Sequence, residues 1–119
     1  MNDSQDKPTL TPSGLPPVPT TKILAMGNLL SPLTQEQRHT VGAKEVPATL
    51  RVYLAGKIDQ WWYRQDGNGV VFLLNETSEE EARKLLESLP FAQANLMQFE
   101  LFPLGPLAPL HALVHDVTS

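Results

Sequence analysis

The stretch NETSEEEARKLLESLPFAQANLMQFELFPLGP, residues 75–106, decides the fold because it encodes a helix, a turn and a strand in succession. Ser78 has N-cap chemistry, Glu81 follows it at the spacing of a capping box, and acidic residues suit the positive end of the helix dipole. Pro90 is expected to stop this helix. Apolar residues recur between these two ends at helical spacing, namely Ala82, Leu85, Leu86 and Leu89.

A strand is predicted after a short connection. Residues 96–102 alternate two sets of side chains, with Leu96, Gln98, Glu100 and Phe102 on one side and Met97, Phe99 and Leu101 on the other. A period of two is the period of a β-strand. The stretch as a whole therefore predicts a helix that packs on a sheet.

Three further strands are predicted upstream. Residues 22–30 are almost continuously apolar, as in a strand that is covered on both faces, and Gly27 marks either a bulge or a place where a ligand approaches the backbone. Residues 57–65 and 69–76 flank Asp66-Gly67-Asn68-Gly69, a hairpin signal. The first hairpin strand is predicted to place Ile58, Gln60, Trp62 and Arg64 on one face and Asp59, Trp61, Tyr63 and Gln65 on the other. Its adjacent aromatic residues indicate that both faces are buried.

A long helix is predicted between the first strand and the hairpin. Thr34 is its expected N-cap with Gln37 at the capping-box position, and Gly56 is its expected stop. Pro47 should break or kink it. The face expected to pack on the sheet consists of His39, Ala43, Val46, Leu50, Tyr53 and Leu54.

These elements predict an α+β fold, a ferredoxin-like βαββαβ arrangement with an antiparallel four-stranded sheet and helices on one face. The other face would leave a large apolar patch in a monomer. We therefore expect two subunits to pack sheet to sheet, as a homodimer or higher homo-oligomer.

The two ends of the chain differ from this domain, which spans residues 22–106. Residues 1–21 carry five prolines and few large apolar side chains, so they predict a disordered arm or, alternatively, an arm that docks on a partner subunit. Residues 107–119 are too apolar for a free tail and are expected to pack on the partner subunit.

Composition excludes several classes of function. At 119 residues the chain fits one domain, and a net charge of -4 with scattered basic residues argues against nucleic acid or an anionic membrane as partners. The absence of cysteine removes disulfides and thiolate chemistry. No apolar run approaches a membrane span or a secretory signal, so we expect a cytoplasmic protein.

The chain resembles the muconolactone isomerase family over residues 22–106. The resemblance is sharpest in the acidic helix after Ser78, which ends in Leu89-Pro90 and leads through a short connection into a strand and proline-rich sequence. It implies a dimeric α+β barrel. Members of that family shift a proton within a small lactone without any cofactor, and relatives include cyclases and cofactor-free or haem-linked oxygenases.

Common catalytic and metal-binding motifs are not found. Gly67 and Gly69 belong to a hairpin and precede no helix, so they do not form a phosphate-binding loop, and no nucleophile elbow is present. His111 and His115 are four residues apart beside Asp116, but a solvated tail is the ordinary interpretation, and we expect no metal site.

The remaining candidate is a pocket between the long helix and the sheet. His39 is the expected general base because its ordinary pKa lies near working pH, Arg64 or Lys44 would hold a developing oxyanion, and Tyr63 is a further catalytic candidate. The other predicted substrate-binding residues are Arg38, Lys44, Glu45, Trp61, Trp62, Phe72 and Asn75. The aromatic members are equally compatible with core and interface packing.

Three hypotheses follow for a small-molecule ligand. The first is an enzyme that needs no cofactor and isomerises or cyclises a small carbonyl, aromatic or polyketide-type compound by proton transfer. The second is a non-catalytic binding or assembly module of the same fold. The third is a haem- or oxygen-dependent monooxygenase, for which His39 would be the axial ligand.

Overall fold

A computed structural model describes residues 11–107 of the chain. Its elements, in order, are β1 (Lys22–Leu29), α1 (Gln35–Leu54), β2 (Ile58–Tyr63), β3 (Gly69–Leu74), α2 (Glu79–Glu87), α3 (Pro90–Gln93) and β4 (Met97–Leu104). Residues 1–10 of the predicted arm and 108–119 of the predicted C-terminal tail lie outside the described residues. Within residues 11–107, no helix combines the length and apolar character needed to cross a membrane.

The four strands form one sheet in the order β2-β3-β1-β4, and every neighbouring pair is antiparallel. This order, with α1 between β1 and β2 and α2 between β3 and β4, is the ferredoxin-like arrangement. The predicted fold is confirmed. The helices pack on one face of the sheet over a core that consists of Ile23, Ala25, Ile58, Phe72, Leu74, Ala82, Leu86 and Leu89.

The predicted helix starts are also found. Thr34 and Gln37 form a complete capping box, in which Thr34 N donates to Gln37 Oε1 at 2.9 Å and Gln37 N donates to Thr34 Oγ1 at 3.1 Å. Ser78 Oγ accepts from Glu81 N at 3.2 Å. The second helix ends at Glu87, and Pro90 begins the separate short helix α3, where a missing N–H costs nothing.

The predicted buried face of α1 is wrong. Val46, Leu50, Tyr53 and Leu54 are exposed, whereas the buried residues are the polar pair Glu45 and Thr49, with Ala48 and Val52 half-buried beside the core. Glu45 accepts hydrogen bonds from Thr49 and from the backbone of Phe91, and these bonds partly offset the free-energy cost of burying polar groups. A prediction that only apolar residues face the sheet does not allow for such a pair. Pro47 lies inside a helix that runs unbroken from Gln35–Leu54, so it causes no break.

The predicted faces of β2 are also wrong, because the strand contains an irregularity. Its register against β3 shifts between Ile58 and Gln60, so Asp59 is an extra residue in the strand. Ile58 pairs with Leu74, and Trp61 pairs with Phe72. The bulge therefore brings Trp61 to the helix-covered face that Ile58 shares.

The bulge that the sequence suggested at Gly27 is not present. Gly27 pairs in regular register with Val70 on one side and Phe99 on the other. A Cβ at this position would lie 2.8 Å from Phe99 Cε1 and 2.9 Å from Met97 Sδ. Gly27 is thus a site of close side-chain packing beneath the helices.

The end of the arm that the structure describes contacts the domain itself. Thr21 N donates to Leu104 O at 2.8 Å, which extends the pairing of β1 with β4. Val18 lies against Gly105, where an added Cβ would meet Val18 Cγ2 at 2.3 Å. Residues 18–21 therefore lie alongside the C-terminal end of β4.

Candidate functional site

An aromatic cavity of about 340 Å³ opens between α1, α3 and the β2 edge of the sheet. It is lined by Glu45, Val46, Thr49, Leu50, Trp61, Trp62, Tyr63, Val70, Phe72, Phe91 and Met97. Most of these side chains are apolar or aromatic, and the polar members are few, as is typical of small-molecule sites. We call this space the aromatic cavity.

Neighbouring rings hold the walls of the aromatic cavity in place. Trp61 stacks on Tyr53 of α1, with ring centroids 4.5 Å apart and planes inclined by 13°. Phe72 stacks on Phe99 of β4 at 6.0 Å. The bulge at Asp59 contributes to this arrangement, since it sets the phase of the strand residues that follow it. The cavity therefore has walls fixed by both the helix and the sheet.

Glu45 is the buried carboxyl of the aromatic cavity, with 9% of its surface exposed. Its Oε1 accepts a hydrogen bond from Phe91 N at 2.8 Å, and its Oε2 accepts one from Thr49 Oγ1 at 3.3 Å. Burial raises the pKa of Glu45 above its ordinary value, and the two hydrogen bonds partly offset this rise. A carboxyl with a raised pKa in an apolar cavity is a stronger base than an ordinary carboxylate, which suits it to accept and return a proton.

The predicted base lies elsewhere. His39 is exposed on α1 and is not among the residues that line the aromatic cavity, so the prediction that it faces the cleft is wrong. It lies six residues before Glu45 in the sequence, more than one turn of helix away from the buried face. Its exposed position also gives no support to a role as a buried haem ligand.

Arg64 and Arg38 line a second, more polar pocket of about 600 Å³ at the end of the hairpin. Arg64 donates to Gly27 O at 3.3 Å, to Asn28 Oδ1, and to Asp66 Oδ2 at 2.6 Å. These bonds tie the hairpin to β1. Arg38 is exposed and donates to Leu33 O at 3.0 Å. The two pockets share Tyr63, which lies at the boundary between them.

Asp66 completes the hairpin turn beneath this second pocket. Its Oδ1 accepts from Asn68 N at 2.9 Å, and its other oxygen pairs with Arg64. The backbone hydrogen bond from Asn68, followed by the one from Arg64, lowers the pKa of Asp66 below its ordinary value. The carboxylate therefore stays ionised and organises the turn.

Two other predicted ligand residues lie apart from the aromatic cavity. Lys44 is exposed on α1. Asn75 directly follows the C-terminal end of β3, whereas Val70 of the aromatic cavity lies near the N-terminal end. The Asn75 side chain accepts a hydrogen bond from Lys22 Nζ and donates one to Gly56 O at 2.9 Å. Of the predicted site residues, the structure brings together Glu45, Trp61, Trp62, Tyr63 and Phe72.

Sequence reasoning missed three cavity residues that matter to Glu45. Thr49 lies one helical turn beyond Glu45, and this i to i+4 spacing of two polar residues was an available signal. Phe91 supplies its backbone N–H from the first turn of α3, and Met97 comes from the start of β4. No local pattern predicts those two contacts. Within residues 11–107, no group of three or more His, Cys, Asp or Glu side chains is placed to hold a metal ion.

Comparison with known proteins bears on the fold. No protein-family model matches the sequence, and no curated protein matches it at a significant level. A solved structure does match: 5-chloro-2-hydroxyhydroquinone dehydrochlorinase (TftG) from Burkholderia phenoliruptrix AC1100, in complex with 2,5-dihydroxybenzoquinone. The two chains share the same fold. The TM-score is 0.55 at 17% identity, over 71% of this chain and 93% of the dehydrochlorinase.

Proposed function

We propose that this protein is an enzyme that moves a proton within a small carbonyl or aromatic compound, without a cofactor, in the aromatic cavity. The observation that carries the proposal is Glu45, a buried carboxyl whose pKa is raised among apolar and aromatic walls. The dehydrochlorinase of the same fold, which binds a dihydroxybenzoquinone, supports a small ring as the ligand. A muconolactone isomerase-like reaction, isomerisation or cyclisation, is the form of this activity that we favour.

Each part of the cavity has a role in such a reaction. The Glu45 carboxylate takes the proton from a carbon next to the carbonyl, and the electron pair of the broken C–H bond moves to the carbonyl oxygen to give an enolate. The same carboxyl returns the proton to a second carbon, so the substrate is isomerised and Glu45 is restored. Tyr63, at the cavity boundary, is the proposed hydrogen-bond donor to the enolate oxygen.

The apolar walls contribute to this chemistry by limiting water. Phe72 and Met97 are buried, and Trp61 is held by its stack on Tyr53. Where a bound substrate displaces water from the cavity, a hydrogen bond to the enolate is stronger than in water. The proposed site therefore combines a base, a hydrogen-bond donor and apolar walls that are buried on the side of the core.

The test follows isomerisation of α-angelica lactone, an uncharged β,γ-unsaturated lactone, by nuclear magnetic resonance in deuterated water. Glu45→Gln keeps the shape of the side chain but removes the base, so we expect it to lower the catalysed rate by roughly a hundred- to ten-thousandfold. Glu36→Gln, an exposed change on the same helix, is the control and should leave the rate unchanged. Equal rates for the wild type and Glu45→Gln would contradict the proposal.

One observation favours the alternative of a non-catalytic binding or assembly module. Both oxygens of Glu45 already accept hydrogen bonds within the chain, and the bond from Phe91 N links α1 to α3. A purely structural Glu45 would give a chain that binds ring compounds but isomerises none of them. Wild-type protein that binds a ring ligand and shows no lactone isomerisation or deuterium incorporation would favour this alternative.

A further inference from the structure

The charge balance of the aromatic cavity restricts the ligands that it can bind. Among the described residues that line it, Glu45 is the only carboxyl, and none is Lys, Arg or His. The guanidinium groups of Arg38 and Arg64 line the neighbouring polar pocket instead. Arg64 is already paired with Asp66 at 2.6 Å. A ligand in the aromatic cavity thus meets one negative group and no cation.

Glu45 retains capacity to accept a hydrogen bond from such a ligand. Each carboxylate oxygen accepts one bond from the chain, and a carboxylate offers about four acceptor positions in all. A hydroxyl group on the ligand suits a remaining position. The cavity walls include the rings of Trp61 and Phe72, which favour a planar aromatic ligand.

An anionic ring is disfavoured because its charge would lie beside the Glu45 carboxylate in a mostly apolar space. Like charges at such distances repel strongly when water does not screen them, and no lining cation offsets the repulsion. An anionic group on a ring that occupies this volume of about 340 Å³ would share the cavity with Glu45. Charge, rather than size, is therefore the first basis of selection.

A cationic ring would be attracted to Glu45 and to the aromatic faces. A cation fixed beside the carboxylate, however, would hold it ionised and reduce its ability to take a proton. A cationic ligand is thus incompatible with the proton transfer proposed above. An uncharged ring with a hydroxyl group satisfies both requirements, because it hydrogen-bonds to Glu45 without cancelling its basicity.

We propose, on the basis of the function proposed above, that the aromatic cavity binds uncharged phenol-type rings and rejects anionic rings of similar size. Glu45 is the residue that recognises the hydroxyl group and sets the charge preference. Trp61 and Phe72 select the planar ring.

The experiment compares phenol and benzoate at pH ~7, where phenol is uncharged because phenolic groups have a pKa of about 10. Both tryptophans of the chain, Trp61 and Trp62, line the cavity, so quenching of intrinsic fluorescence reports on this site. We expect saturable binding of phenol that is at least about tenfold tighter than that of benzoate. Benzoate that binds as tightly as phenol would overturn the proposal, as would binding of neither ring.

A matched pair of variants tests the role of Glu45. Glu45→Gln removes the charge, so the preference for phenol over benzoate should fall to less than about threefold, while Glu36→Gln should retain the wild-type preference. An undiminished preference in Glu45→Gln would assign charge selection to another group and overturn this role. Binding and function fail separately: phenol selectivity without lactone isomerisation refutes only the proposed activity, and Glu45-dependent isomerisation without phenol selectivity refutes only this inference.

Discussion

At the scale of the residue, Glu45 is the group on which both fold and proposed function depend. It is a buried carboxyl in a helix, its two oxygens accept from Thr49 Oγ1 and Phe91 N, and burial raises its pKa. A buried polar group of this kind is stable only because both hydrogen bonds are made. The burial that raises the pKa of Glu45 also strengthens it as the base of the proposed proton transfer.

The raised pKa of Glu45 predicts how stability depends on pH. The folded protein holds this proton more tightly than the unfolded chain does. The stabilising contribution of the neutral carboxyl is therefore fully present below the unfolded pKa of about 4.3 and is lost as pH rises through the higher folded value. Glu45→Gln has no such loss, because its amide does not titrate.

We expect the free energy of unfolding of the wild type, relative to that of Glu45→Gln, to fall between pH ~4 and pH ~8. Urea denaturation of both chains at the two pH values measures this difference. The subtraction removes the titrations that the two chains share. A difference that stays constant, or that rises with pH, would contradict a raised pKa.

The sequence identified Glu45 as a ligand residue but assigned the base to His39. The reason is physical: the pattern assumed that the apolar positions of α1 face the sheet, whereas Val46 and Leu50 line the rim of the cavity and the polar pair Glu45 and Thr49 lies beneath. The buried Glu45 accepts a hydrogen bond from the backbone N–H of Phe91, which lies 46 residues further along the chain. No local sequence pattern predicts that contact.

At the scale of the element, the N-caps were predictable because their chemistry is local. Thr34 and Ser78 both accept the hydrogen bonds that their sequence positions predicted. The bulge at Asp59 was not predictable, because a prediction from the sequence assigns the side chains of β2 to alternate faces without interruption. One extra residue then exchanges the faces of every side chain that follows.

The cap of α2 gives a direct test of these local rules. Ser78→Ala removes the acceptor of the Glu81 N–H, so we expect a loss of about 1 kcal/mol in the free energy of unfolding. Thr77→Ala, one residue earlier at an exposed position, should change it by less than about 0.5 kcal/mol. Urea denaturation of the two variants measures both values, and equal losses would show that Ser78 is no cap in solution.

At the scale of the whole molecule, the face of the sheet away from the helices carries a group of apolar residues. Leu24 and Met26 of β1 and Val71 of β3 are half-buried there, and Phe102 and Leu104 of β4 are exposed by 43% and 41%. This is the face that the sequence predicted to pack against a second subunit. Hydrophobic residues in a contiguous exposed patch favour such an interface.

We predict a homodimer that forms through this face. Phe102→Lys places a charge there without disturbing the core, so it should shift the protein to monomer at micromolar concentration. Leu54→Lys, at a position 72% exposed on the helix side, is the control and should leave the dimer intact. Light scattering coupled to gel filtration gives the mass of each chain, and a monomeric wild type would refute the dimer.

The central claim is that Glu45 carries a proton at a higher pH than an ordinary carboxyl does, inside the aromatic cavity. Carbon-13 nuclear magnetic resonance of the side-chain carboxyl, assigned by the loss of its signal in Glu45→Gln, measures this pKa directly. We predict a midpoint above the ordinary value of about 4.3. A midpoint at or below that value would contradict the account, because a carboxylate so readily ionised is a weak base for the proposed proton transfer.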